Sequence, residues 1–209
     1  MSLPDTTLTP TGRPVRTVTE ADLAAVTSTL DVAFFDDPVL CWWIPEDHRR
    51  RDILPAFFRL IVEVHFPLGA IYGSDEMNAT AVWVPPGRQP TADEMAALVP
   101  LFAEATEEYA DRLFATLERM DALHPTEAHW YLFFLGTVPQ WQSRGLGSAL
   151  MRAVLEACDR DSIPAYLEAT SERNKQLYLR HGFEVTGEMP LGDGVSLWPM
   201  WRAPAKDPS

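Results

Sequence analysis

The stretch from His129 to Gly147 limits what this chain can become more than any other part of it. His129 to Val138 is almost continuously apolar and aromatic, the pattern of a central strand buried on both faces. A short turn, Gln140 to Arg144, follows. From Gly145 to about Arg160, Leu146, Ala149, Leu150, Ala153, Val154 and Ala157 then recur on one face of a helix. Strand, tight turn and amphipathic helix together are the unit of a sheet covered by helices. The turn also has a chemistry. The first N–H groups of a helix have no partners within it, and with the helix dipole they form an anion site. Glycines at 145 and 147 remove side chains that would hold an anion off the backbone. Ser148 could add a hydroxyl and Arg144 a charge. The nucleotide-binding patterns GxxxxGK[ST] and GxGxxG are both absent, so the turn alone reads equally well as an anion site or as close packing.

The rest of the chain builds around this unit. Val15 to Val18 reads as a strand. Thr19 is set to cap a helix with Leu23, Val26, Leu30 and Phe34 on one face, ended by Asp36-Asp37-Pro38. A second helix spans about Glu46 to Phe66, with Pro55 inside it as a site for a kink. Ala70 to Gly73 and Ala79 to Val84 read as paired strands. Residues 91 to 123 read as helical and acidic, with breaks at Pro100 and near Tyr109. Ala165 to Ala169 is a further strand. Glu172 to His181 is a short helix capped by Ser171 and closed by Gly182. Phe183 to Glu188 and Val195 to Trp201 form a final hairpin. The expected architecture is therefore α/β: one domain over residues 14–203, a mixed sheet of about seven strands and helices on both faces. Residues 1–13 and 204–209 read as tails.

Charge and cysteine content narrow the function. A net charge of −13 argues against nucleic acid, whose binding is dominated by cations on phosphate. The segment from Gln142 to His181 is the exception, with six basic residues against five acidic ones. A polyanion could sit there and a cation could be drawn to the remainder. No stretch approaches the roughly 20 apolar residues of a membrane span. Cys41 and Cys158 are too few for a disulfide framework or a zinc site, no cluster supports a metal, and a reducing cytoplasm is the expected setting.

Two motifs carry a resemblance. Val138-Pro139-Gln140-Trp141-Gln142-Ser143-Arg144-Gly145-Leu146-Gly147 resembles the acetyl-CoA signature of the GNAT superfamily of N-acetyltransferases, with Ser143 where glycine is commoner. Asn174 to Phe183, with Tyr178 four residues after the asparagine and Gly182-Phe183 at the end, is similar to its second motif. Three further segments, Ala33 to Pro38, His124 to Leu132 and Ala165 to Thr170, resemble the bacterial group around puromycin N-acetyltransferase. The resemblance implies a splayed parallel strand pair that takes the pantetheine arm of acetyl-CoA. Leu135, Gly136, Thr137 and Val138 would offer backbone groups to that arm. Gln142, Ser143, Arg144, Gly145, Leu146, Gly147 and Ser148 would hold the pyrophosphate. Asn174 would bond the arm, and Tyr178 would protonate the leaving thiolate.

Other roles are open at this stage. Glu168 ends a strand beside the splay, where it could take the proton of the acceptor amine or cap the helix starting near Glu172. His129 and His65 are alternative bases. Asp36, Asp37, Trp42 and Trp198 could cradle an aromatic or cationic amine. The expected activity is transfer of an acetyl group from acetyl-CoA to a primary amine of a small molecule by direct attack in a ternary complex. The metal-free enzyme would be free to form a homodimer. A protein or peptide N-acetyltransferase, and a non-catalytic acyl-CoA sensor, are the alternatives.

Overall fold

Capping chemistry sets where the first helices begin. A computed structural model describes residues 6–8, 14–88 and 90–205. Strand β1 (Thr6–Leu8) pairs with β2 (Pro14–Thr17), and the expected tails otherwise fall at 1–5, 9–13 and 206–209, outside the described residues, apart from 204–205. Thr19 donates both its N–H (2.9 Å) and its hydroxyl (2.6 Å) to Asp22, which opens a 3-10 turn leading into helix α1 (Leu23–Phe34). Asp37-Pro38 does more than end α1. Asp37 accepts from the N–H groups of Val39 (2.9 Å) and Leu40 (3.3 Å), and Pro38 takes the first position of a helix the sequence pattern did not reveal, α2 (Pro38–Trp43). Proline lacks the N–H that such a position leaves unpaired anyway. Helix α3 (Asp47–His65) runs through Pro55 without interruption.

The expected strand pair is present as β3 (Ile71–Ser74) and β4 (Ala79–Val84). Residues 91–123 become α4 (Ala92–Thr106) and α5 (Ala110–Leu123). The break falls at Glu107–Tyr109, and Pro100 is absorbed inside α4. There follow β5 (Trp130–Thr137), α6 (Leu146–Asp161), β6 (Ala165–Ala169), α7 (Glu172–Leu179), β7 (Glu184–Val185), β8 (Met189–Gly192) and β9 (Val195–Arg202). The final hairpin is β8–β9 rather than a single strand from Phe183. Asp193 and Gly194 both have positive φ (52° and 77°), the backbone a two-residue hairpin turn needs.

The strands join in the order β1-β2-β3-β4-β5-β6-β9-β7, with β8 beside β9, so the sheet has nine strands where about seven were expected. All neighbours are antiparallel except β5 and β6. This is a single α/β domain with helices on both faces. One core lies between the sheet and α6, around Leu150, Met151, Val154, Trp83 and Leu167. The other lies under α1, α3 and α5, around Leu30, Phe58, Ile61, Val82 and Leu113. Packing of α1 is close: a Cβ at Gly136 would lie 3.1 Å from the Ala33 Cβ and 3.3 Å from Leu30 Cδ2.

One expectation for β5 fails informatively. The apolar run predicted burial on both faces, yet Trp130, Leu132 and Gly136 are buried while Tyr131, Phe133, Leu135 and Thr137 are only half-buried. From Phe133 onward the neighbouring strand β6 has turned away.

Candidate active site

Strands β5 and β6 are paired at only three rungs, Trp130–Ala165, Tyr131–Tyr166 and Leu132–Leu167. Immediately beyond, the register between β4 and β5 jumps: Val82 faces Phe134 while Trp83 faces Leu132, leaving Phe133 unopposed. Such a bulge bends a strand and increases its twist, and here it sits where β5 leaves β6. The gap that opens has a free backbone edge on β5. Val138 donates its N–H to the Asn78 carbonyl (3.0 Å), toward β4. Groups alternate along a strand, so Gly136 also faces β4, and Leu135 and Thr137 face the gap. The Thr137 carbonyl there accepts from Gln142 Nε2 (3.1 Å), which ties the turn back to the strand end.

The turn begins as a 3-10 turn, Pro139–Trp141. Ser143 (φ 59°) and Gly145 (φ 83°) then take left-handed backbone. The left-handed backbone at Ser143 is one that glycine adopts without strain. Gly145 has nothing within 4 Å of an added Cβ, so its φ rather than space calls for glycine. Gly147 is different. It is helical, and a Cβ there would meet Leu135 Cδ2 and Leu177 Cδ2 at an ordinary 3.8 Å. Neither packing nor φ requires a glycine, which costs about 1 kcal/mol against alanine inside a helix. The first helical bond runs from Ala149 N–H to the Gly145 carbonyl (3.0 Å). The N–H groups of Leu146, Gly147 and Ser148 therefore precede the helical ladder and open onto this bare surface. Arg144 lies beside the turn, its guanidinium 4.9 Å from the Trp141 ring. Ser148 Oγ is 3.0 Å from His181 Nε2, and burial first, then Arg152, lowers the His181 pKa. A bare glycine, free N–H groups and an unpaired strand edge in series fit the pyrophosphate and amide arm of acetyl-CoA.

Glu168 is the first residue of β6 past the last rung shared with β5. Its Oε2 accepts from the Tyr131 hydroxyl (2.8 Å), and its Oε1 is buried without a partner among the described residues. The Tyr166 hydroxyl, beside the same carboxyl, is likewise buried and unpartnered. Burial raises the Glu168 pKa to about 7, against the opposing hydrogen bond from Tyr131. The alternative helix-cap role falls to Ser171, whose Oγ accepts from the Asn174 N–H (3.2 Å). Tyr178 is buried, and its hydroxyl has no hydrogen bond among the described residues. Burial first, then the Asp37 charge, pushes its pKa well up. The phenol is thus held protonated.

The other residues do not all converge. Asp37 is buried and engaged on both oxygens, by α2 and by the Thr170 hydroxyl (2.5 Å). Asp36 is exposed. Trp42 packs on the α1–α3–α5 side under the Arg112 guanidinium (4.0 Å), whereas Trp198 packs on the α6 side with Lys175 Nζ at 4.5 Å. The two tryptophans pack against different cores. His65 Nδ1 meets the Ile61 carbonyl (2.7 Å), and burial lowers its pKa. His129 meets His124, Nε2 to Nε2, at 3.1 Å. Tyr131, Tyr166 and Thr170 were not anticipated as site residues. Only the strand register and the fold bring them to Glu168 and Asp37.

The chain is similar to known acetyltransferases. The model of the acetyltransferase (GNAT) domain family matches residues 110–203, from α5 to the last strand. An uncharacterized N-acetyltransferase of Schizosaccharomyces pombe is 25% identical over 177 residues, covering 78% of this chain and 70% of that protein. Among solved structures, a histone acetyltransferase HPA2 and related acetyltransferase from Corynebacterium glutamicum is 29% identical, with a TM-score of 0.68 over 93% of this chain and 98% of the other. Arylalkylamine N-acetyltransferase 2 from Aedes aegypti shares the fold at 12% identity, with a TM-score of 0.65 over 90% of this chain and 97% of its own. Agmatine N-acetyltransferase shares it at 16% identity, with a TM-score of 0.55 over 90% and 97%. The family model over residues 110–203, the relative and the shared fold support one assignment, an acetyltransferase enzyme built as a single GNAT-fold domain.

Proposed function

We propose that the enzyme acetylates a primary amine of a small molecule, by direct attack of the amine on acetyl-CoA in a ternary complex. The observation that carries this reading is Glu168: a buried carboxyl with one oxygen unpartnered, at the fork where β5 and β6 part. Acetyl-CoA supplies an activated acyl carbonyl. The N–H groups of Leu135 and Thr137 face the gap as donors for charge developing on the carbonyl oxygen. Glu168 Oε1 takes the proton of the attacking amine, with a pKa near 7 suited to a base at neutral pH. Tyr178, protonated and without a hydrogen bond to its hydroxyl among the described residues, donates to the leaving sulfur.

The acceptor side is covered, which favours a small molecule. Trp43 Nε1 donates to the Tyr109 carbonyl (3.0 Å), Arg112 lies over Trp42 and Arg119 donates to the Pro190 carbonyl (2.6 Å), so the α4–α5 insertion is latched across α2 and β8. The arylalkylamine and agmatine N-acetyltransferases that share the fold act on amines of this size. Peptide acetylation is the second reading, favoured by the histone acetyltransferase likeness. The likeness to puromycin N-acetyltransferase keeps aminonucleosides among the candidate acceptors.

A thiol-release assay with acetyl-CoA separates these readings when run against arylalkylamines, agmatine, polyamines, aminonucleosides and lysine peptides. Release on a small amine, lost in Glu168→Gln, is expected. Release on peptides alone supports the second reading, and acetyl-CoA binding with no release on any acceptor overturns both in favour of a sensor.

A further inference from the structure

Asp37 and Thr170 are 133 positions apart in sequence and 2.5 Å apart in the fold. Three hydrogen bonds make their contact part of a longer chain. Asp37 Oδ1 accepts from the Val39 and Leu40 N–H groups at the start of α2, and its Oδ2 accepts from the Thr170 hydroxyl. Thr170 Oγ1 in turn accepts from Asn174 Nδ2 (3.2 Å). The chain runs from α2, on the acceptor side, to the face of α7 that also bears Tyr178 one turn on. Asp37 is only 8% exposed, and burial raises its pKa against the bonds from Thr170 and α2. A helix cap alone needs one oxygen and is commonly made at the surface. A second oxygen committed to a distant hydroxyl does something further.

We infer that Asp37 is a positioning residue for the acetyl-CoA site: through Thr170 it sets the rotation of the Asn174 amide and joins α7 to the acceptor wall built on α2. This rests on the reading of Asn174 as a partner of the cofactor arm. A hydroxyl committed to Asp37 presents its lone pair to Asn174 Nδ2, and the Asn174 oxygen and second N–H are left for a ligand. Remove the carboxylate and the Thr170 hydroxyl is free to rotate, so the amide loses its fixed orientation. Because α2 carries Trp42 and Trp43, which hold the α4–α5 insertion, the same tie aligns the acceptor wall with the cofactor helix.

Acetyl-CoA affinity, measured calorimetrically on the full chain, tests this independently of the acceptor. Asp37→Asn keeps a good α2 cap, so the fold should survive while the bond to Thr170 is disturbed. Asp37→Asn and Thr170→Val should each weaken acetyl-CoA binding by about tenfold, the scale of one lost hydrogen bond within a network, and Thr170→Ser should restore it. In an Asn174→Ala background, Thr170→Val should add nothing further. Wild-type affinity in both Asp37→Asn and Thr170→Val, with only a lowered melting temperature, overturns the inference and leaves Asp37 as a cap. Additive losses of Thr170→Val and Asn174→Ala overturn the route through Asn174. A wild-type chain that does not bind acetyl-CoA overturns the proposed function along with it.

Discussion

Glu168→Gln should separate stability from activity, with opposite signs. In the native chain burial raises this carboxyl to about 7 from an ordinary 4.5. A carboxylic acid raised on folding binds its proton more tightly in the native state. Stability is therefore full below pH 4.5 and falls as pH rises through about 7, after which it is flat. A shift of this size corresponds to about 3 kcal/mol withheld from the native state at pH 8. Glutamine matches the neutral acid in shape. Its oxygen can accept from Tyr131, and its N–H can donate to the unpartnered Tyr166 oxygen. The variant should match wild type in melting temperature at pH 5 and exceed it at pH 8. For a domain of this length about 3 kcal/mol is worth roughly 5–10 °C. Turnover should fall by about 10²–10⁴-fold, the usual worth of a general base. In wild type, kcat/KM should rise with pH to a plateau above about 7. Thermal melts at the two pH values and a pH–rate profile check these outcomes together. A variant less stable than wild type at pH 8 would refute the claim that a buried charge is carried at the fork. Retained turnover with the same pH limb would refute the base.

Three further substitutions probe the cofactor side. Tyr178→Phe should fold normally and lose about 10²-fold in turnover, and because the phenol is held well above its ordinary pKa, wild-type turnover should not decline between pH 8 and 10. Gly147→Ala puts its methyl at an ordinary 3.8 Å from Leu135 and Leu177, so the melting temperature should hold or rise, while calorimetry should show acetyl-CoA affinity reduced at least tenfold; unchanged affinity would remove the phosphate site from this turn. Ser143→Gly relieves a left-handed serine (φ 59°) and should stabilise by about 1 kcal/mol, measured by denaturant unfolding, without weakening acetyl-CoA.

The parts of this site that the sequence made legible are local, and the parts it hid depend on register. The strand–turn–helix from Trp130 to Asp161 is written in adjacent residues: an apolar run, glycines at a turn and a helical stripe. Asn174 and Tyr178 share a face because four residues make about one turn. Nothing local says that Tyr131 reaches Glu168. That contact needs β5 parallel to β6 with Tyr131 opposite Tyr166, and a one-residue slip would turn every one of these side chains to the other face. The same applies to Asp37. As a helix-ending Asp-Pro pair it invited a reading as an acceptor contact, but the fold commits both carboxyl oxygens, one to the start of α2 and one to Thr170 ahead of α7. Trp42 and Trp198 read from sequence as partners for one amine, yet alternation along β9 packs Trp198 into the core beside α6 while Trp42 packs into the other core. Even the error over β5 follows from this. An apolar strand is read as buried on both faces because a folded protein seldom leaves such residues uncovered. Here Phe133 and Leu135 stay half-open where β6 has diverged after Leu167, and that surplus of apolar surface along an unpaired strand edge is itself the mark of a place where a ligand completes the sheet.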